Sequence, residues 1–284
     1  MKIPRVLPAV SLALCLAACG ALPSAAERRE AAQALASQHG WQQERIAAGG
    51  FDLVAWRPAR YAGSAPGADD ERLTVYIEGD GLAWLNSSQP SDDPTPGNAM
   101  ALKLALAQPR GNAAYLARPC QFTGTAAAGC DPAYWTGRRF AEEVVAATDQ
   151  AIGILKRQAG ARRLALVGYS GGGGIAALVA ARRRDVDLLV TVAGNLDHRA
   201  WTALHHVSPL TGSLNPADAA DRLLQVRQRH FVGGKDAVMP VAIATAYAER
   251  YPPGQRPEVR LEPGFDHRCC WVEAWPGLWR GLGD

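Results

Sequence analysis

The residues with the clearest chemical potential are Gly168-Tyr169-Ser170-Gly171-Gly172. They follow an apolar run at 163–167 and lead into Gly173, Gly174 and a small-residue stretch at 175–183. That order reads as a strand, a sharp turn and a helix, with Ser170 at the apex. A serine presented in this way can act as a nucleophile if the residues two before and two after it let the backbone close up. Gly168 and Gly172 meet that condition. The helix beginning behind Ser170 aims amides and the positive end of its dipole at the place where a negative oxygen would form. The Gly171 N–H is therefore a candidate oxyanion donor.

Gly-x-Ser-x-Gly is common by chance, and two other chemistries compete for the segment. A phosphate-binding loop needs Lys and Ser or Thr after its last glycine, and Ile175 stands there instead. Gly171-x-Gly173-x-x-Ala176, with Asp197 following, formally matches a dinucleotide fingerprint, but Tyr169-Ser170 separates its glycines from the strand. The serine reading gains weight from its partners. A serine hydroxyl needs a neutral imidazole to take its proton, and that ring needs a carboxylate to hold its tautomer. Asp236 follows the run at 230–232 through Gly233-Gly234-Lys235, and His267 lies in Pro263-Gly264-Phe265-Asp266-His267 after the next strand. Structural alternatives are that Asp236 caps the helix starting near Pro240 and that His267 is an ordinary histidine. Asp197 and Asp266 are the other candidate acids.

These three residues need a scaffold. Short apolar strands are expected at 73–77, 113–117, 163–167, 188–192, 230–232 and 258–261, alternating with helices near 100–107, 138–158, 175–183 and 241–250. A hairpin around Gly49-Gly50 precedes them, and a helix with three Trp closes the chain. Unalternated apolar strands separated by helices mean an α/β fold with a mostly parallel sheet covered on both faces. One domain is expected over 41–284. Its segment at about 195–222 has no long periodic pattern and is read as a cap over the strand ends. Tyr169, Asn195, Asp197, His198 and Trp201 are candidate substrate-binding residues. The strand at 73–77 ends in Glu78-Gly79-Asp80-Gly81, which makes the Asp80 N–H the candidate second oxyanion donor, with Gly81 as its alternate. A carboxylate beside a developing anion repels it, so the Asp80 side chain is expected to turn away into a hydrogen bond.

Composition narrows the setting. The chain has 284 residues, and its net charge of +3 is too small to indicate nucleic acid. Residues 1–18 carry Lys2 and Arg5 ahead of a short apolar stretch, the pattern of an export signal rather than a spanning helix. Leu16-Ala17-Ala18-Cys19 is similar to a bacterial lipobox, which implies a lipidated Cys19 at the mature N-terminus. Acyl chains contribute about 0.8 kcal/mol per buried CH₂. Gly20 in place of Asp implies an outer-membrane destination on the periplasmic side. Residues 19–40, Ala-rich and polar, read as a tether with about one helical turn. Of the six cysteines, Cys120 and Cys130 close a short loop and suggest a disulfide in an oxidising compartment. Cys269-Cys270 could bridge each other, stay reduced or pair elsewhere. No spacing suggests zinc, and neither a metal nor a cofactor is expected.

Turn, acid loop and histidine loop together resemble the α/β-hydrolase superfamily over roughly residues 41–280. More narrowly, residues 189–198 (Leu-Val-Thr-Val-Ala-Gly-Asn-Leu-Asp-His), 213–218 (Ser-Leu-Asn-Pro-Ala-Asp), 77–81 and Arg118-Pro119-Cys120 resemble proteobacterial envelope lipoprotein α/β-hydrolases with no assigned substrate. The resemblance implies a Ser170–Asp236–His267 triad, in the chain order this superfamily uses. The chain departs from many lipases and esterases in having Glu78 where they carry His. The expected function is a lipid-anchored serine hydrolase acting on a small-molecule or lipid-like ester, less readily an amide. The same triad could serve acyl transfer, and a non-catalytic binding lipoprotein is the remaining alternative.

Overall fold

A computed structural model describes residues 22–61, 71–124 and 126–282. The expected export signal, Cys19 and most of the loop at 61–70 lie outside the described residues. β1 (Trp41–Ala48) and β2 (Phe51–Pro58) form the hairpin, and its turn places Gly49 and Gly50 at φ 56° and 84°. Two successive positive φ values are what a tight primed turn requires, which explains the glycine pair. β3 (Arg72–Ile77), α2 (Met100–Leu106), β4 (Asn112–Leu116), α3 (Glu142–Gln158), β5 (Arg163–Tyr169), α4 (Gly171–Ala180) and β6 (Val186–Val192) follow. The chain continues through α5 (His198–Leu204), a 3₁₀ helix at Pro216–Leu223, β7 (Arg227–Gly233), α6 (Val241–Ala248), β8 (Glu258–Glu262) and α7 (Trp271–Arg280).

The eight strands form one sheet in the order β1-β2-β4-β3-β5-β6-β7-β8. β2 pairs antiparallel with β1 and β4, and every pair from β4 to β8 is parallel. From β3 the chain steps outward to β4, then returns to place β5 on the other side of β3. The order therefore reverses between β3 and β5, and ligands of open parallel sheets bind at the carboxyl ends of strands flanking such a reversal. The turn after β3 and Ser170 after β5 meet there. Apolar cores cover both faces. Val144, Ile152 and Leu155 of α3 and Ile175 of α4 fill one, and Leu102 of α2 with Trp271 and Trp275 of α7 fills the other. The indole N–H of Trp275 donates to the buried Tyr76 hydroxyl at 3.0 Å.

The tether expectation is corrected in part. Residues 25–38 form a helix of 14 residues, α1 (Ala25–Gln38), instead of a single turn within a linker. Ser24 and Glu27 make a reciprocal capping box, a Ser-x-x-Glu signal legible in the sequence. Ala32 and Ala36 are buried against the core, Gln33 accepts from the Trp56 indole at 3.0 Å, and Arg29 pairs with Asp93 at 2.9 Å. An alanine face suits this contact because it buries surface without losing side-chain entropy. Among the described residues, no helix is long and apolar enough to cross a membrane.

Candidate active site

Ser170 sits between β5 and α4 at φ 52° and ψ −124°, a conformation a non-glycine residue adopts only where its surroundings enforce it. The glycines make the turn possible. A Cβ on Gly168 would collide with the Gly172 carbonyl, and one on Gly172 with the carbonyls of Ile77 and Glu78. Gly171 is glycine for a different reason, since a Cβ there would run into the Asp80 carboxylate. The Ser170 backbone is tied on both sides, its N–H to the Val192 carbonyl at 3.0 Å and its carbonyl to the Asn195 N–H at 2.9 Å.

The structure brings the three expected residues together. His267 Nε2 lies 3.1 Å from Ser170 Oγ, and His267 Nδ1 lies 2.8 Å from Asp236 Oδ2. Asp236, 5% exposed, uses its other oxygen to accept the N–H groups of Val238 and Met239 at 2.8 and 2.7 Å. An ionised carboxylate only accepts, so the histidine proton sits on Nδ1 and Nε2 is free to accept. The Tyr169 hydroxyl donates to the His267 carbonyl at 2.9 Å, and its ring packs 5.3 Å from the imidazole, which steadies the loop carrying His267. Asp266, another candidate acid, instead accepts the N–H groups of Arg268 and Cys269 at 2.7 Å and shapes the same loop. Cys269 and Cys270 are bonded to each other, and Cys120 to Cys130.

A cleft of about 600 Å³ opens over Ser170 and His267, with Asp80, Tyr169, Trp201 and Arg139 among its walls. The Asp80 carboxylate turns into a clamp, with Arg118 at 3.1 Å on one oxygen and Arg139 at 2.7 Å on the other. Burial alone would raise its pKa, but the positive charges of Arg139 and Arg118 outweigh that and hold it below the usual value. Two guanidinium groups around one carboxylate leave a positive excess beside the serine. Arg118 and Arg139 were not singled out as site residues from the sequence. Their only signal was the expectation that Asp80 finds a partner.

Three of the five pocket candidates need correction. Tyr169 and Trp201 line the cleft, but Asn195, Asp197 and His198 do not. Asn195 is fully buried behind the Ser170 turn. Asp197 caps α5 by accepting the N–H groups of Arg199 and Ala200 at 3.1 Å, and it also accepts from Asn215. His198 stacks on Phe140 with ring centres 5.8 Å apart, and burial lowers its pKa. It faces a separate cavity of about 630 Å³ on the other side of α5. His198 shares that cavity with Arg199, Thr202 and Ala203, whereas Trp201, whose indole N–H donates to the Val238 carbonyl at 2.8 Å, reaches the cleft.

With sheet order, strand-end site and flanking helices in place, the chain has the α/β-hydrolase fold. In structure it is similar to a 2,6-dihydroxy-pseudo-oxynicotine hydrolase, with a TM-score of 0.59 and 15% identity over 91% of this chain and 72% of that one. An esterase from Pyrococcus furiosus aligns at 0.57 with 11% identity over 86% and 91% of the two chains. Est1E from Butyrivibrio proteoclasticus aligns at 0.54 with 13% identity over 84% and 98%. At these identities the likeness is one of fold. No protein-family model matches the chain, and no curated protein matches it.

Proposed function

We propose that this protein is a serine hydrolase that cleaves esters through an acyl-enzyme. The single observation that carries the reading is the hydrogen-bonded line from Ser170 Oγ through both ring nitrogens of His267 to Asp236. Ser170 attacks the ester carbonyl while His267 Nε2 takes its proton, and Asp236 stabilises the resulting imidazolium. The carbonyl oxygen, now negative, is held by the N–H groups of Gly171 and Asp80, with the Gly81 N–H beside them. None of these three N–H groups donates a hydrogen bond among the described residues. The Arg118–Asp80–Arg139 clamp keeps the Asp80 carboxylate from opposing that charge. His267 then protonates the leaving alcohol, and water repeats the sequence to free the acid and regenerate Ser170. That similarly folded proteins include named esterases favours an ester over an amide.

A fluorophosphonate probe tests this. The parent protein is expected to label at Ser170 and Ser170→Ala to remain unlabelled. Equal labelling of both, or of neither, counts against the reading. We further propose, from residues 16–19 alone, that Cys19 carries a lipid that holds the enzyme on an envelope membrane. Radiolabelled palmitate should enter the parent and be lost from Cys19→Ser, and retained label in that variant excludes the anchor.

A further inference from the structure

The turn that follows β3 has an unusual distribution of hydrogen bonds. The Glu78 N–H donates to the Leu116 carbonyl at 3.1 Å, the Gly79 N–H to Glu78 Oε1 at 2.9 Å, and the Leu82 N–H to the Pro94 carbonyl at 3.1 Å. The N–H groups of Asp80 and Gly81, between them, have no acceptor among the described residues. Gly81 is exposed to water, but Asp80 is half-buried, and an amide there is rarely left so unless a ligand or water completes it.

One side chain sets the direction of the Asp80 amide. The Gly79 carbonyl accepts from Gln121 Nε2 at 2.9 Å. A trans peptide is planar, with its C=O and N–H pointing opposite ways, and no cis bond occurs among the described residues. Drawing the Gly79 carbonyl toward Gln121 therefore turns the Asp80 N–H away from it, toward the cleft. Gly79 lies against the nucleophile on that side, where a Cβ would stand 3.2 Å from Ser170 Cβ.

Gln121 is itself locked. It is 1% exposed, and its Oε1 accepts the Arg118 N–H at 3.1 Å, which leaves only the amide nitrogen to face Gly79. Its neighbours Cys120 and Phe122 are both held at positive φ, 70° and 63°. The Cys120–Cys130 bridge and the bond from the Phe122 N–H to Thr95 Oγ1 at 2.8 Å secure the two sides. Strained non-glycine backbone on both flanks of one buried side chain is the kind of arrangement found where position matters to function.

We infer that Gln121 is a positioning residue for the oxyanion site, holding the Gly79–Asp80 peptide so that the Asp80 N–H meets the developing negative oxygen. The inference rests on the reading of Ser170 as an acylating nucleophile. It also chooses between Asp80 and Gly81, since only the Asp80 N–H shares a peptide with the carbonyl that Gln121 grips.

The full chain carrying Gln121→Met or Gln121→Glu tests it on a short-chain nitrophenyl ester. Removing an oxyanion donor costs on the order of 10² to 10³ in kcat, so a donor left free to rotate should cost about 10- to 100-fold. KM should stay within about threefold, because the contact exists only in the transition state. The Glu variant supplies a readout that mere damage to packing does not move. Its ionised carboxylate cannot donate to the Gly79 carbonyl, whereas its protonated form can. The ratio of its kcat to the parent's, taken at each pH to divide out the parent's own pH dependence, should rise on acidification, and the Met ratio should stay flat. A Met variant that fails to fold by near-UV circular dichroism leaves the Glu ratio as the deciding measurement. Parent-like kcat in a folded variant, or a Glu ratio independent of pH, overturns the role of Gln121 and leaves the hydrolase reading standing. A parent with no Ser170-dependent hydrolysis overturns both.

Discussion

Replacing Asp236 by Asn should lower kcat by on the order of 10⁴-fold while leaving KM and folding close to those of the parent. The reason lies in how the two carboxylate oxygens are used. One accepts the Val238 and Met239 N–H groups, and the other accepts from His267 Nδ1. An asparagine must keep its carbonyl oxygen toward the two backbone donors, because turning its NH₂ toward them sets donor against donor. Its NH₂ then faces His267 Nδ1, which can respond only by giving up its proton. The imidazole shifts to the tautomer with the proton on Nε2, so the atom 3.1 Å from Ser170 Oγ becomes a donor and can no longer act as a base. Steady-state kinetics on an activated ester, with circular dichroism to verify the fold, checks this. A fall of less than about tenfold would show that Asp236 only caps its loop, since the cap survives the exchange.

Glu78→Gln should stabilise the protein at alkaline pH and leave it nearly unchanged in acid. Glu78 is 1% exposed, and burial pushes its carboxyl up to about 7, against which the Gly79 and Ala101 N–H groups only partly compensate. The unfolded chain loses this proton near 4.5. Between those two values the folded state holds a proton that the unfolded state has released, so raising the pH costs stability, by up to roughly 1.4 kcal/mol per unit. Above pH 7 the penalty is complete, about 3 kcal/mol from the size of the shift. Glutamine keeps an oxygen for the Gly79 and Ala101 N–H groups and never ionises. The difference between parent and variant in guanidinium unfolding should therefore be small at pH 4.5 and grow steadily to pH 8. Comparing the two proteins cancels the other titrating groups, including the buried His230, whose opposite shift to about 3 costs stability on acidification. A difference that does not change with pH would show that Glu78 titrates normally.

Much of the scaffold was legible because its signals are local. Apolar runs that do not alternate mark strands covered on both faces, and those at 73–77, 113–117, 163–167 and 188–192 each lie within an observed strand or overlap one, whereas Glu258-Val259-Arg260-Leu261 alternates and forms the largely exposed edge strand. The Ser170–His267–Asp236 line was legible for a related reason. A nucleophile turn demands small residues at fixed offsets, and Asp236 and His267 each follow a strand in the order this fold uses. The Ser24–Glu27 capping box was equally local, but α1 lacks an apolar stripe because its buried face is alanine. A search for periodic large residues passes over such a helix.

Around the turn at 78–81, sequence reasoning reached its limit at side-chain direction. Asp80 was expected to find a hydrogen-bond partner, but Arg118 and Arg139 lie 38 and 59 residues away and no spacing links them. Asn195, Asp197 and His198 follow β6 as pocket residues often do, yet they cap, stack and fill behind the turn while Trp201 reaches the cleft. Positions 198 and 201 lie one turn apart on the same side of this seven-residue helix, so which cavity each enters is set by its contacts, His198 against Phe140 and Trp201 on the Val238 carbonyl.

The amino-acid sequence by itself determined the strand–turn–helix at Ser170, the chain order of Asp236 and His267 after it, and the sheet that carries them, because each follows from neighbouring residues and the geometry of the chain. The tertiary structure alone decided which N–H groups beside Ser170 stay unpaired, how Asp80 is neutralised, and that Gln121 turns the Gly79–Asp80 peptide. Those depend on loops brought together from β3, from after β4 and from before α3, and the physical constraint joining them is that most buried polar groups find a partner in three dimensions.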